Sequence, residues 1–207
     1  MNQAQRIQLN TIINTLQGYQ DPQDFKIALT DGKGSMWNLR NQIARFSNMS
    51  DYYYITDRAE KHLNKLVTDG QLKFKDGKLL RSSKSQKLQF TYEHVIPCCI
   101  IADLLIEALG PYLFKGYAVD RKVFEDIVDH ILEKADSVVI ITKGSKHAIQ
   151  TCGQLVNSED KLLCDAGLNS SMPDGWSFKD GDIWDRYRVA GVEVPTMMQE
   201  MYGSFSR

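Results

Sequence analysis

The chain has 207 residues, with 25 Lys and Arg against 26 Asp and Glu, and 43% of its residues are hydrophobic. This length predicts one globular domain or two small ones, and the ordinary apolar content excludes a disordered or fibrous chain. No run of about 18 apolar residues is present, so we expect no membrane span and no membrane partner. The polar N-terminus lacks a signal-peptide pattern, which favours a cytoplasmic protein.

Charge is unevenly distributed along the chain. Residues 58–87 carry nine Lys and Arg against three Asp and Glu, a local charge of +6 in a chain whose net charge is -1. Basic stretches of this kind are typical of nucleic-acid contact surfaces, although they also arise for solubility alone.

The first half of the chain predicts three helices and a hairpin. Apolar spacing predicts helices over about residues 7–16, 36–46 and 55–68, followed by a hairpin over 71–81 that turns at Asp76-Gly77. In the third helix one face is apolar and is expected to point inward: Ala59, Leu63, Leu66 and Val67.

Two helices followed by a basic hairpin resemble a winged-helix module over residues 36–84. The resemblance implies that the last helix enters the DNA major groove while the hairpin rests on phosphates. The DNA-binding residues would then be Arg58, Lys61, His62, Lys65, Lys73 and Lys75. An amphipathic helix whose charged residues are merely solvated predicts the same pattern.

The second half predicts a small sheet with several helices. Residues 88–97 alternate as a strand ended by Pro97, and 137–141 form a buried β-branched strand. Between them we predict a buried helix over 98–109, apolar almost all round and stopped by Gly110-Pro111, and an amphipathic helix over 120–133. The inward residues of this second helix would be Val123, Phe124, Ile127, Val128 and Ile131. Further helices are predicted over 145–155, 158–165 and 183–190.

The string Glu93-His94-Val95-Ile96-Pro97 places a carboxylate beside an imidazole at a predicted strand end. Phosphodiester hydrolysis needs a base that works near neutral pH and a cation held by oxygen ligands, which these two residue types can supply. The alternative is structural: His94 is a hydrogen-bonded group, and Glu93 pairs with a neighbour such as Lys87.

This string resembles the first strand of HNH nucleases, the ββα-metal or His-Me finger superfamily. The resemblance implies that His94 is the general base and Glu93 a ligand of Mg2+ or Mn2+. It also implies that a second strand and helix supply the remaining ligand. Strand 137–141 and the helix after it would bring this ligand from His147, Asn157 or Asp160.

Other chemistries lack their motifs. The cysteines Cys98, Cys99, Cys152 and Cys164 have no C-x-x-C spacing, and the chain has neither a P-loop nor a G-x-S-x-G string. Asp126 and His130 lie one helical turn apart, but their acidic neighbours favour a solvated face.

These patterns together predict an α+β protein. Residues 1–84 form a mostly helical, winged-helix-like, nucleic-acid-binding part, and 85–207 an HNH-like nuclease part, a ββα-metal core with a helical insertion. The predicted function is a metal-dependent DNA endonuclease of restriction or phage defence, a homodimer if it cuts both strands of a symmetric site. The alternative is a non-catalytic nucleic-acid-binding or protein-interaction module, such as a winged-helix regulator or a phage-encoded inhibitor.

Overall fold

The computed structural model describes residues 1–17, 35–50, 53–70, 74–75, 78–79, 90–114, 120–135, 137–143 and 158–197, the side chains of 35–38, 74–75, 78–79, 113–114 and 135 excepted. In chain order its elements are α1 (Gln3–Gln17), α2 (Ser35–Ser47), β1 (Tyr54–Ile55), α3 (Asp57–Thr68), β2 (Phe74–Lys75), β3 (Lys78–Leu79), β4 (Phe90–His94), α4 (Cys98–Phe114), α5 (Arg121–Ala135), β5 (Val138–Thr142), α6 (Glu159–Asp165), α7 (Asp185–Val189) and β6 (Thr196–Met197). The predicted mixed α+β class is confirmed.

Each of two compact units is built from two separate stretches of chain. The helical unit comprises residues 1–50 and 96–137, and the sheet unit comprises 51–95 and 138–207. The predicted boundary between the two parts of the chain, at residue 84, falls within residues 80–89. These residues lie outside the described ones.

The helical unit consists of α1, α2, α4 and α5. Helix α1 packs against α2 and α5, and α4 packs against α2 and α5. Its core is formed by apolar residues at helical spacing, which include Ile12, Leu16, Ile43, Leu105 and Val128. No helix in the described ranges is long and apolar enough to cross a membrane.

Three predictions for the helical unit were wrong. Helix α4 does not stop at Gly110-Pro111 but continues to Phe114 with Pro111 inside it. The predicted buried helix also has an exposed side, because Asp103 and Glu107 are exposed. In α5 the side chain of Val123 is 42% exposed, since it lies at the outer edge of the apolar stripe that buries Phe124 and Val128.

The sheet unit is organised around a mixed four-stranded sheet with the order β4-β5-β1-β6. Strands β5 and β1 are parallel, while β4 pairs antiparallel with β5 and β6 antiparallel with β1. All five residues of β5 are buried. Because side chains alternate along a strand, the residues of β5 belong to two apolar clusters, one on each face of the sheet.

The two clusters involve different helices. Val138 and Ile140 belong to the cluster that contains Leu63 of α3. Val139 and Ile141 belong to the other cluster, which contains Leu163 of α6 and Tyr187 of α7. The sheet is therefore covered on both faces, as a continuous apolar strand such as β5 requires.

Helix α3 begins two residues later than predicted and ends at Thr68, as predicted. Tyr54 and Ile55 form β1 instead of the first helical turn, and the helix is capped by Thr56, whose hydroxyl accepts from the Ala59 N–H at 3.2 Å. Val67 is 36% exposed and does not point inward. The predicted hairpin is formed by β2 and β3, with Lys75 opposite Lys78.

Candidate active site

Strands β4 and β5 and helix α6 bring the Glu93-His94 pair beside the second strand predicted from the sequence. The two strands pair antiparallel over all five residues, with Glu93 opposite Val139 and His94 opposite Val138. Helices α4 and α5 lie between these strands in sequence, yet the strands are neighbours in the sheet. Helix α6, which follows β5 in the chain, packs against it. The structure therefore places β4 beside β5 and α6 against β5.

Glu93 is engaged by a buried arginine from α7. Its Oε1 accepts a hydrogen bond from Nη2 of Arg186 at 2.6 Å, and Nη1 of the same guanidinium donates to the His94 carbonyl oxygen at 3.1 Å. The Arg186 side chain is 0% exposed and that of Glu93 is 21% exposed. One guanidinium thus holds both residues of the pair.

Glu93 also lies within the electrostatic influence of Asp160, the second residue of α6. Burial raises the pKa of the Glu93 carboxyl above its usual range, Arg186 opposes this shift, and the negative charge of Asp160 adds to it. The Asp160 Oδ1 accepts from the Ser158 hydroxyl at 2.5 Å. Of the predicted metal ligands, Glu93 therefore lies on β4 and Asp160 on the helix that packs against β5, and the charge of Asp160 acts on Glu93.

His94 is placed differently from Glu93. Phe90 and Tyr92 face the cluster beside α3, and alternation directs His94 to that same face, opposite to Glu93. His94 is the last residue of β4, however, and the chain bends directly after it at residues 95–96. Its imidazole therefore lies at the end of the β4–β5 pair.

A buried carboxylate fixes α6 to the sheet. Oε2 of Glu159, which is 3% exposed, accepts hydrogen bonds from the Thr56 hydroxyl at 2.9 Å, the Thr142 N–H at 2.8 Å and the Thr142 hydroxyl at 2.9 Å. Thr56 and Thr142 stand at the carboxyl ends of the parallel strands β1 and β5. Glu159 thereby sets the start of α6, and with it the position of Asp160.

Tyr187 lies among these charged groups. It is completely buried, and burial raises the pKa of its hydroxyl, a shift that Arg186 opposes and that Glu93 and Glu159 increase. Within the described part of the chain, its hydroxyl and Nε of Arg186 make no hydrogen bond.

The predicted DNA-binding residues are distributed along α3 and the hairpin. Arg58, Lys61 and Lys65 are exposed on α3, where Lys61 pairs with Asp57. The His62 ring lies 5.3 Å from the Phe90 ring, between centroids. The backbone of Lys75 is in β2, but its side chain is outside the described residues, as are Lys73 and the ligand candidates His147 and Asn157.

Sequence reasoning missed Arg186, Glu159 and Tyr187 as site residues. Arg186 and Glu93 are separated by 93 positions, and Glu159 reaches Thr56 across 103 positions. The only local signal is that the charged residue Arg186 occupies a buried position of α7, beside the aromatic residue Tyr187.

The donor chemistry of Glu93 and Asp160 fits Mg2+, which takes one or two protein carboxylates and keeps several waters. No group of three His, Cys, Asp or Glu side chains suited to a metal occurs among the residues that the structure describes. Comparison with known proteins gives no match to a family model, to a curated protein or to a solved structure.

Proposed function

We propose that this chain is a metal-dependent endonuclease of the HNH type, in which Glu93 and Asp160 bind Mg2+ or Mn2+ and His94 is the general base. The observation that carries the proposal is the antiparallel β4–β5 pair with α6 packed against β5, which places Glu93 on the first strand and Asp160 on the helix. This is the strand-strand-helix order that the Glu93-His94 string predicts, with α4 and α5 as the insertion.

Each residue of the site has a task in this proposal. Arg186 holds Oε1 of Glu93, which leaves Oε2 for a cation shared with Asp160. A bound divalent cation would neutralise the charge that develops on the phosphate oxygens. His94 accepts the proton of the attacking water, because an imidazole is the side chain that takes protons near neutral pH. The scissile phosphate would span the end of the β4–β5 pair, between the carboxylates and the imidazole.

The substrate we propose is DNA, in restriction or phage defence. The exposed side of α3 presents Arg58, Lys61 and Lys65 about one helical turn apart, which suits contacts to successive phosphates. In this arrangement α3 and the β2–β3 hairpin act as the winged-helix-like contact surface. A homodimer would be needed to cut both strands of a symmetric site.

The experiment is cleavage of plasmid and single-stranded DNA with Mg2+, with Mn2+ and with EDTA. We expect cutting that depends on the cation and falls by about 100-fold or more in His94→Ala, the usual contribution of general base catalysis. Asp165→Asn is the matched control, because Asp165 is an exposed residue of α6 that pairs with Lys161. Retained cutting in a folded His94→Ala variant would refute the assigned mechanism.

A second candidate is a non-catalytic nucleic-acid-binding module. The observation that favours it is the Arg186–Glu93 ion pair, which neutralises Glu93 without a metal. The two candidates separate if binding is measured by fluorescence anisotropy at low and near-physiological salt. Lys65→Gln should weaken binding to DNA and reduce the salt dependence by about one phosphate contact, and Lys161→Gln on α6 should not. Salt-sensitive binding without any cleavage would favour this candidate.

A further inference from the structure

The guanidinium of Arg186 binds Glu93 and His94 at the same time. Nη2 meets the side chain of the first residue, and Nη1 meets the backbone carbonyl of the second. Arg188, two positions later on α7, pairs with Asp182 and Asp185 while its side chain stays 47% exposed. The same short helix thus carries one fully buried and one exposed arginine, both paired with carboxylates.

This geometry uses the planar fork of arginine. Two parallel N–H groups fix the distance and the plane of both acceptors, whereas a lysine ammonium is a point charge that fixes neither. With Oε1 of Glu93 occupied and the adjacent carbonyl held, rotation of the carboxylate is restricted.

Stability alone does not require such a pair. Buried ion pairs are often replaced by apolar residues with no loss of stability, because desolvation costs about as much as the pairing returns. Metal-ligating side chains, by contrast, are regularly oriented by a hydrogen-bonding partner behind them.

We propose that Arg186 is a positioning residue for the cation site: by holding Oε1 of Glu93 and the His94 carbonyl, it fixes the orientation of the Glu93 carboxylate and leaves Oε2 for the cation. The inference rests on the proposed function. It adds a residue from α7 to a site that the sequence assigned to β4 and to the segment after β5.

The test is the affinity of the full chain for Mn2+ alone, measured by electron paramagnetic resonance without DNA. We expect Arg186→Met to weaken Mn2+ binding about 10- to 100-fold, the usual effect of removing a group that orients a ligand. Arg186→Lys should bind more weakly than wild type but more tightly than Arg186→Met, because it restores charge without the fork. Arg188→Met is the matched control and should bind as wild type does. Thermal unfolding tests whether each variant is folded. If Arg186→Met is not folded, the Mn2+ affinity of Arg186→Lys decides the question.

The outcomes separate the two claims. Suppose that Glu93→Gln has lost Mn2+ binding. If a folded Arg186→Met or Arg186→Lys variant then binds Mn2+ as tightly as wild type, or more tightly, the positioning role is overturned. Wild-type Mn2+ affinity in Glu93→Gln overturns the metal site of the proposed function itself. Weak binding in both Glu93→Gln and the Arg186 variants supports the positioning role.

Discussion

Removal of the Glu159 carboxylate should destabilise the sheet unit strongly. Glu159→Ala leaves the buried Thr142 N–H without its acceptor, which costs about 1–3 kcal/mol. The two threonine hydroxyls can turn to other acceptors, but truncation of a buried side chain also removes about 1 kcal/mol of packing. We therefore expect a loss of about 3 kcal/mol in the free energy of unfolding.

Two further variants isolate the cause. Glu159→Gln keeps a carbonyl oxygen as acceptor and relieves the burial of a charge, so it should cost about 1 kcal/mol. Asp165→Asn, an exposed change on the same helix, should stay within about 0.5 kcal/mol of wild type. Urea unfolding at neutral pH, followed by circular dichroism, measures all three. If Glu159→Ala unfolds within about 0.5 kcal/mol of wild type, the buried hydrogen-bond cluster does not hold α6 as argued.

Three other predictions concern the loop, the ion pair and the core. A Cβ added at Gly181 would overlap the indole of Trp176, so Gly181→Ala should cost about 2 kcal/mol and shift the tryptophan fluorescence; an unchanged spectrum and stability would contradict this packing. Because the pKa of Glu93 is raised in the folded protein, its contribution to stability is fully present below the pKa of the unfolded chain. That contribution is lost as the pH rises through the raised value. The free energy of unfolding of wild type, relative to that of Glu93→Gln, should therefore decrease as the pH rises from about 4 to neutral. Urea titrations in which this difference increases would show that the pKa of Glu93 is shifted in the opposite direction. Ile141→Ala should cost about 2–5 kcal/mol in urea unfolding, against less than about 0.5 kcal/mol for the exposed Val67→Ala, and equal losses would refute the burial assigned to β5.

The sequence predicted the elements whose signals are local. Strand β5 and the hairpin β2–β3 follow from a β-branched run and from a two-residue turn string. Helix α6 follows from Ser158 directly before its first residue and from Gly167, which adopts a φ of 71° just after the helix.

The remaining features depend on contacts between distant residues. β1 has only two residues, and it is a strand because it pairs with both β5 and β6. The predicted helix pair of the winged-helix resemblance is interrupted by this strand, and α2 and α3 belong to different units. At the site, local pattern identified Glu93, His94 and Asp160 as candidates. Arg186 could not be found, because its partner lies 93 positions away.

The central claim is that Glu93 and Asp160 form the cation site of a nuclease, and plasmid cleavage by Asp160→Asn tests it most directly. With Mg2+ or Mn2+, we predict that wild type and Asp165→Asn cut at similar rates. Asp160→Asn should cut about 100-fold more slowly while it remains folded. Cleavage by Asp160→Asn at the wild-type rate would contradict the claim, as would a folded wild-type protein that cuts no DNA with either cation.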